Sequence, residues 1–150
     1  MNVVLISIDS LRADHVRSYG YARETTPTLD RIAAEGALFE SVVAESTWTL
    51  PSHVTMLTGV GSLVHRVDQF AGARLDDGFA TLAERFHAAG YATEGIYSGP
   101  YLHPLFGFGR GFERYEGVLG EASVDEELDL EEPDAGDTRG AEPLFGPGRR

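Results

Sequence analysis

Val3-Val4-Leu5-Ile6-Ser7-Ile8-Asp9 is an almost unbroken apolar run that ends on a carboxylate. A strand covered on both faces reads this way, whereas a strand with one wet face alternates. Residues 2–9 are therefore expected to form a buried strand with Asp9 at its carboxyl end. Residues 37–44 and 91–98 read as two further strands. Helix signals lie between them. Thr26-Pro27 opens a helix in which Leu29, Ile32 and Ala33 share a face, with Gly36 to stop it. A short helix is expected from about 51 to 57, and residues 59–75 read as an irregular loop. Asp76 or Asp77 caps a third helix, with Phe79, Leu82, Ala83 and Phe86 as its stripe and Gly90 at its end. Strands alternating with helices predict an α/β fold with a mainly parallel sheet. Such sheets bind ligands beyond the carboxyl ends of their strands, the edge where Asp9, Thr49 and Ser98 fall.

Ser46-Thr47-Trp48-Thr49-Leu50-Pro51-Ser52-His53 supplies a second chemical group. Proline is favoured at the first helical position, where its missing N–H would have no partner anyway. The free amides and positive dipole end of that helix favour an anion or an alkoxide in front of it. The turn alone reads first as a helix-capping threonine and second as a nucleophile. A carboxylate and a hydroxyl at strand ends suggest metal-assisted attack on a phosphate or sulfate ester.

The 150 residues carry 24 acidic and 12 basic side chains, a formal net charge of −12, and every basic residue is arginine. Nucleic acid and anionic membrane are poor partners for such a surface. The absence of cysteine excludes disulfides and thiolate metal sites. The N-terminal apolar run is short, has no basic region before it and ends in Asp9. It reads as a strand and not as a signal peptide or membrane span, so a cytoplasmic location is expected. Residues 121–142 are rich in acids broken by Pro133 and Gly136. A domain over 1–118 followed by a disordered acidic tail over 119–150, with a little helix near 126–130, is the expected organisation.

Three segments resemble the N-terminal part of the sulfatases, members of the alkaline phosphatase superfamily. They are Asp9-Ser10-Leu11-Arg12-Ala13-Asp14-His15, then Tyr19-Gly20-Tyr21, then Thr49-Leu50-Pro51-Ser52-His53 running through Leu57-Thr58-Gly59. Their order and spacing match the family from about residue 2 to about residue 116. The resemblance implies an alkaline phosphatase-like, sulfatase-like α/β fold, here a partial, mostly parallel sheet flanked by helices. Sulfatases are considerably longer than this chain. The implied activity is metal-dependent hydrolysis of a small-molecule sulfate or phosphate ester, with Ca, Mg, Mn or Zn as the divalent cation. Two alternatives accompany it: a phosphodiesterase or phosphotransferase with a threonine nucleophile, and a shortened relative without catalysis.

By the same resemblance Asp9 matches the first metal-binding aspartate, and Ser10 replaces the second. Thr49 occupies the nucleophile position, making it both attacking group and metal ligand. Sulfatases carry there a cysteine or serine that is oxidised to formylglycine. Threonine cannot yield that aldehyde, because its β-carbon already bears a methyl group. His53 replaces the arginine of the sulfatase signature; it is expected to contact the ester or orient Thr49, with packing in the first turn of the helix as the equal alternative. His65 also resembles a family position, with a structural role foremost. The lysine and histidine that follow the third strand in sulfatases are absent from Tyr97-Ser98-Gly99-Pro100-Tyr101, and the later metal ligands have no substitute here. His15 is expected to organise a loop and His87 to lie on a helix surface. Phe106-Gly107-Phe108-Gly109-Arg110-Gly111-Phe112 reads as a packed loop.

Overall fold

The computed structural model describes residues 1–67 and 73–118. Asp68 and the expected tail at 119–150 lie outside the described residues. Among the described residues four α-helices run in chain order: α1 Pro27–Glu35, α2 Thr49–Thr58, α3 Ser62–His65 and α4 Leu82–Ala88. Two strands follow, β1 Glu94–Tyr97 and β2 Arg114–Gly117. They pair in parallel, from Glu94 opposite Arg114 to Tyr97 opposite Gly117. Parallel neighbours need a long connection. Residues 98–113 provide it through two short 3₁₀ turns, Pro100–Leu102 and Pro104–Phe106.

The core forms where α2 meets this connection. Leu50, Val54, Val67, Leu75 and Phe108 are buried together, with Leu57, Phe79, Leu102 and Tyr115 packed around them. Helix α2 buries Leu50, Pro51, His53 and Val54, and ends at Gly59 in the left-handed conformation that glycine adopts without strain. Beside the strand pairing, Tyr115 stacks on Tyr97 and Phe112 with ring centroids 4.9 and 5.1 Å apart. Gly95 is required beside these rings, since a Cβ there would lie 2.6 Å from the ring of Tyr115. The loop at 106–112 is packed as expected, with Phe108 fully buried.

Several sequence expectations change. Helix α2 begins at Thr49, two residues before Pro51, which falls within the first turn, where amides have no helical partner. The third helix begins at Leu82 and not after Asp76 or Asp77. Its cap is Thr81, which accepts from the Glu84 amide while the Glu84 side chain accepts from the Thr81 amide. This reciprocal Thr-x-x-Glu box satisfies two orphan donors where a single aspartate satisfies one. Asp76 instead closes a turn by accepting from the Gly78 amide at 2.7 Å, so Phe79 precedes the helix. Among the described residues of 59–75 the chain forms the short helix α3.

The strand expectation holds for 91–98, where β1 forms, and fails for 2–9 and 37–44. Those two segments make no backbone ladder with any described residue. Their apolar side chains stand open: Val4 is 79% exposed, Phe39 71% and Val43 93%. A pattern written for two covered faces finds no such cover among the described residues. Helix α1 ends at Gly36 as expected, yet Ile32 on its apolar face is also exposed.

Candidate functional site

Thr49 is the first residue of α2, and Trp48 before it is extended, so the Thr49 hydroxyl lies at the positive end of the helix. The Asp9 carboxylate faces it from 40 residues away in sequence. Thr49 Oγ1 lies 3.4 Å from Asp9 Oδ1 and 3.5 Å from Oδ2, a long contact shared between the two oxygens. Ser10 follows with φ 58°, a left-handed conformation uncommon for serine, and turns the chain away just after Asp9. Asp9 and Thr49 line a groove of about 680 Å³ whose far wall is β1 and Ser98; Ser10 is not part of its lining.

His53 lies one helical turn beyond Thr49 and is 8% exposed. Its Nδ1 is 2.8 Å from the Thr49 carbonyl oxygen, which can only accept, so Nδ1 carries the hydrogen. In the neutral ring Nε2 is then the acceptor, and the Ser7 hydroxyl donates to it at 2.9 Å. Neither ring nitrogen is bonded to the Thr49 hydroxyl. The structure thus brings Asp9, Thr49 and His53 together and adds Ser7, which sequence reasoning missed. The available signal was its position two residues before Asp9, matched by His53 four residues after Thr49.

His65 lies apart from this cluster. Its Nδ1 accepts from the Val67 amide at 2.9 Å and its Nε2 meets Thr55 Oγ1 at 3.1 Å, tying α3 to α2. Burial pushes its pKa down, opposed by the Glu45 carboxylate. Glu45 in turn accepts from the amide and hydroxyl of Ser62, and these bonds hold its carboxyl below the usual range. His15 pairs with Asp14 in a surface turn that also holds Arg12, as a loop-organising residue should. Hydrogen bonds from Arg12 and then His15 hold the Asp14 carboxyl well below its ordinary range. His87 pairs with Glu113 at the surface, and His103 caps the turn Pro104–Phe106.

Asp9 and Thr49 offer hard oxygen donors, which suit an oxygen-seeking divalent cation. They fit as part of a coordination shell, since such ions take roughly six to eight oxygens, some from water or substrate. Among the described residues no group of three or more His, Asp or Glu converges on one point.

The family profile described as Sulfatase matches residues 1–127. The chain belongs to the sulfatase family. It is 31% identical to mouse iduronate 2-sulfatase over 106 residues, covering 69% of this chain and 19% of that protein. It is 34% identical to bovine arylsulfatase A over 127 residues, covering 73% and 24% respectively. The fold matches the crystal structure of the phosphonate monoester hydrolase of Agrobacterium radiobacter with a TM-score of 0.64 and 26% identity, over 82% of this chain and 27% of that one. The architecture is accordingly the alkaline phosphatase-like α/β fold. This sulfatase-family chain spans about a fifth to a quarter of the length of these relatives.

Proposed function

We propose that this sulfatase-family chain carries the nucleophile and one metal ligand of an ester hydrolase, with Thr49 attacking the phosphorus or sulfur centre of a small-molecule ester. The observation that carries the reading is the convergence of Asp9 and Thr49 across 40 residues at the N-terminus of α2. A divalent cation, bound through Asp9 and Thr49, would neutralise charge on the attacking and ester oxygens. The chain's own contribution is then positional and electrostatic. The helix N-terminus favours the ionised Thr49 oxygen, and the Asp9 carboxylate holds the hydroxyl proton in the resting state. Attack forms a bond from Thr49 Oγ1 to the centre and releases the alcohol; water then cleaves the covalent ester. His53 is not the base for Thr49, because its two nitrogens are engaged by the Thr49 carbonyl and by Ser7.

Phosphate or phosphonate esters are the preferred substrates in this reading. Threonine closes the formylglycine route, and similarity to a phosphonate monoester hydrolase supports attack at phosphorus. Phosphotransfer to an acceptor alcohol is the enzyme-class alternative. A non-catalytic relative is favoured by one observation, the lack of a third metal-ligating carboxylate or imidazole among the described residues. The test is a panel of aryl phosphate, phosphonate and sulfate esters assayed with Mg²⁺, Mn²⁺, Ca²⁺ and Zn²⁺ on the wild type and Thr49→Ala. Metal-dependent phosphoester turnover lost in Thr49→Ala supports the reading. Turnover undiminished in that variant refutes it, and no turnover with any cation favours the non-catalytic relative.

A further inference from the structure

We propose that Ser7 is a positioning residue, acting through His53 to fix the register of Asp9 against Thr49. The inference rests on the reading of Asp9 and Thr49 as the reacting pair.

From Leu5 to Asp9 the groove is lined by Leu5, Ser7 and Asp9 while Ile6 and Ile8 do not line it, which is the two-residue period of an extended segment; Asn2, Val3 and Val4 line it without alternation. His53 and Thr49 are four apart on α2 and share its face. Two residues of extended chain advance about 6.6 Å, and four residues of helix advance about 6 Å. The near match allows two rungs to form at once: Ser7 Oγ to His53 Nε2 at 2.9 Å, and Asp9 to Thr49 at 3.4 Å. The rungs run in opposite chain directions, with 7 over 53 and 9 over 49.

The two rungs differ in strength. The Asp9–Thr49 contact is long and shared between oxygens, whereas Ser7–His53 is short and its ring is locked by the second bond from Nδ1 to the Thr49 carbonyl. Residues 2–8 have no backbone ladder among the described residues, so register along α2 rests on side chains. A slip of one residue would present Ile8 to His53 and turn Asp9 away from Thr49. An apolar side chain cannot donate to Nε2, so the hydroxyl at position 7 selects the register that aims Asp9 at the helix N-terminus.

The experiment uses the full 150-residue chain, wild type and the variants Ser7→Ala, Ser7→Thr and Asp9→Asn. Three quantities are read: the His53 ring ¹⁵N resonances, backbone ¹⁵N order parameters at residues 7–9, and Mn²⁺ affinity by electron paramagnetic resonance. Wild type should show His53 with hydrogen on Nδ1 and a hydrogen-bonded Nε2. Ser7→Ala should shift the Nε2 resonance, lower the order parameters at residues 7–9, and weaken Mn²⁺ binding about threefold to tenfold. Ser7→Thr, which keeps the hydroxyl, should restore all three. Asp9→Asn should lose Mn²⁺ while leaving the Nε2 resonance in place. If Asp9→Asn leaves Mn²⁺ binding unchanged, or wild type binds none, the metal reading fails, and the clamp is judged by the resonance and order-parameter data. An unmoved Nε2 resonance with unchanged order parameters in Ser7→Ala overturns the clamp, whatever the metal result. So does loss of Mn²⁺ affinity in Ser7→Thr equal to that in Ser7→Ala.

Discussion

Replacing Gly111 with alanine should be among the most destabilising single changes in this chain, and the reason can be worked out atom by atom. Gly111 has φ +83°, and a Cβ built on it would lie 2.1 Å from the Glu84 amide nitrogen, 2.5 Å from Glu84 Cα and 2.6 Å from the Ala83 carbonyl carbon. All three are backbone atoms in the first turn of α4. That turn is pinned by the Thr81–Glu84 capping box, and no flexible side chain can step aside. The Gly111 carbonyl is also held, accepting from Thr93 Oγ1 at 2.7 Å. The left-handed backbone alone costs an alanine about 1–2 kcal/mol. Moving the helix start away from the loop adds overpacking and broken cap bonds, for a total of about 4 kcal/mol. Gly59→Ala is the matched control, with φ +71° and no atom within 4 Å of the added carbon, so only the conformational cost of about 1 kcal/mol applies. Urea unfolding followed by circular dichroism gives both values, provided the slope is unchanged. Equal destabilisation by the two substitutions would refute the close-approach argument.

Thr49→Ala should abolish any ester turnover while Thr49→Ser retains part of it, as measured by initial rates on an aryl phosphate, because serine keeps the attacking hydroxyl. Thr81→Ala removes the cap of α4 and a hydrogen bond to the Arg110 carbonyl. It should cost about 1–2 kcal/mol in denaturant unfolding, with Thr81→Ser within about half of that. His65 has a folded-state pKa below its ordinary value of 6.5, so the folded protein binds fewer protons than the unfolded chain. Its contribution to stability is complete above that value and is lost as pH falls through the folded pKa; melting scans from pH 7.5 to 5 should show a decline that His65→Gln flattens.

What could be read in the sequence follows how local each signal is. The stop at Gly36, the strand at 94–97 and the packing of 106–112 depend on nearby residues and were legible. The juxtaposition of Asp9 and Thr49 was legible through the order and spacing of the family segments. The cap of α4 was missed because Asp76 and Asp77 are also good capping residues; the reciprocal Thr81–Glu84 pair satisfies more backbone groups than either. Ser7 was missed because, read alone, it is one polar residue in an apolar run, and its signal lies only in its spacing from Asp9 set against that of His53 from Thr49. Its partner becomes apparent only when the pitch of an extended chain is laid against that of α2. Residues 2–9 and 37–44 show the limit of pattern reading: an apolar run states that a segment wants cover, and says nothing of which atoms supply it.

The uncovered run at 3–8 sets colloidal behaviour against itself. It combines high strand propensity with no charge and no proline, the composition of segments that add edge to edge. Against this stands a net charge of −12, which makes copies repel. Repulsion between exposed charges reaches about 8 Å at physiological ionic strength and about 3 Å in molar salt, while apolar attraction does not weaken in the same way. Ionic strength therefore decides which tendency prevails: dilute buffer keeps the chains apart, and concentrated salt brings the exposed apolar runs of neighbouring molecules into contact.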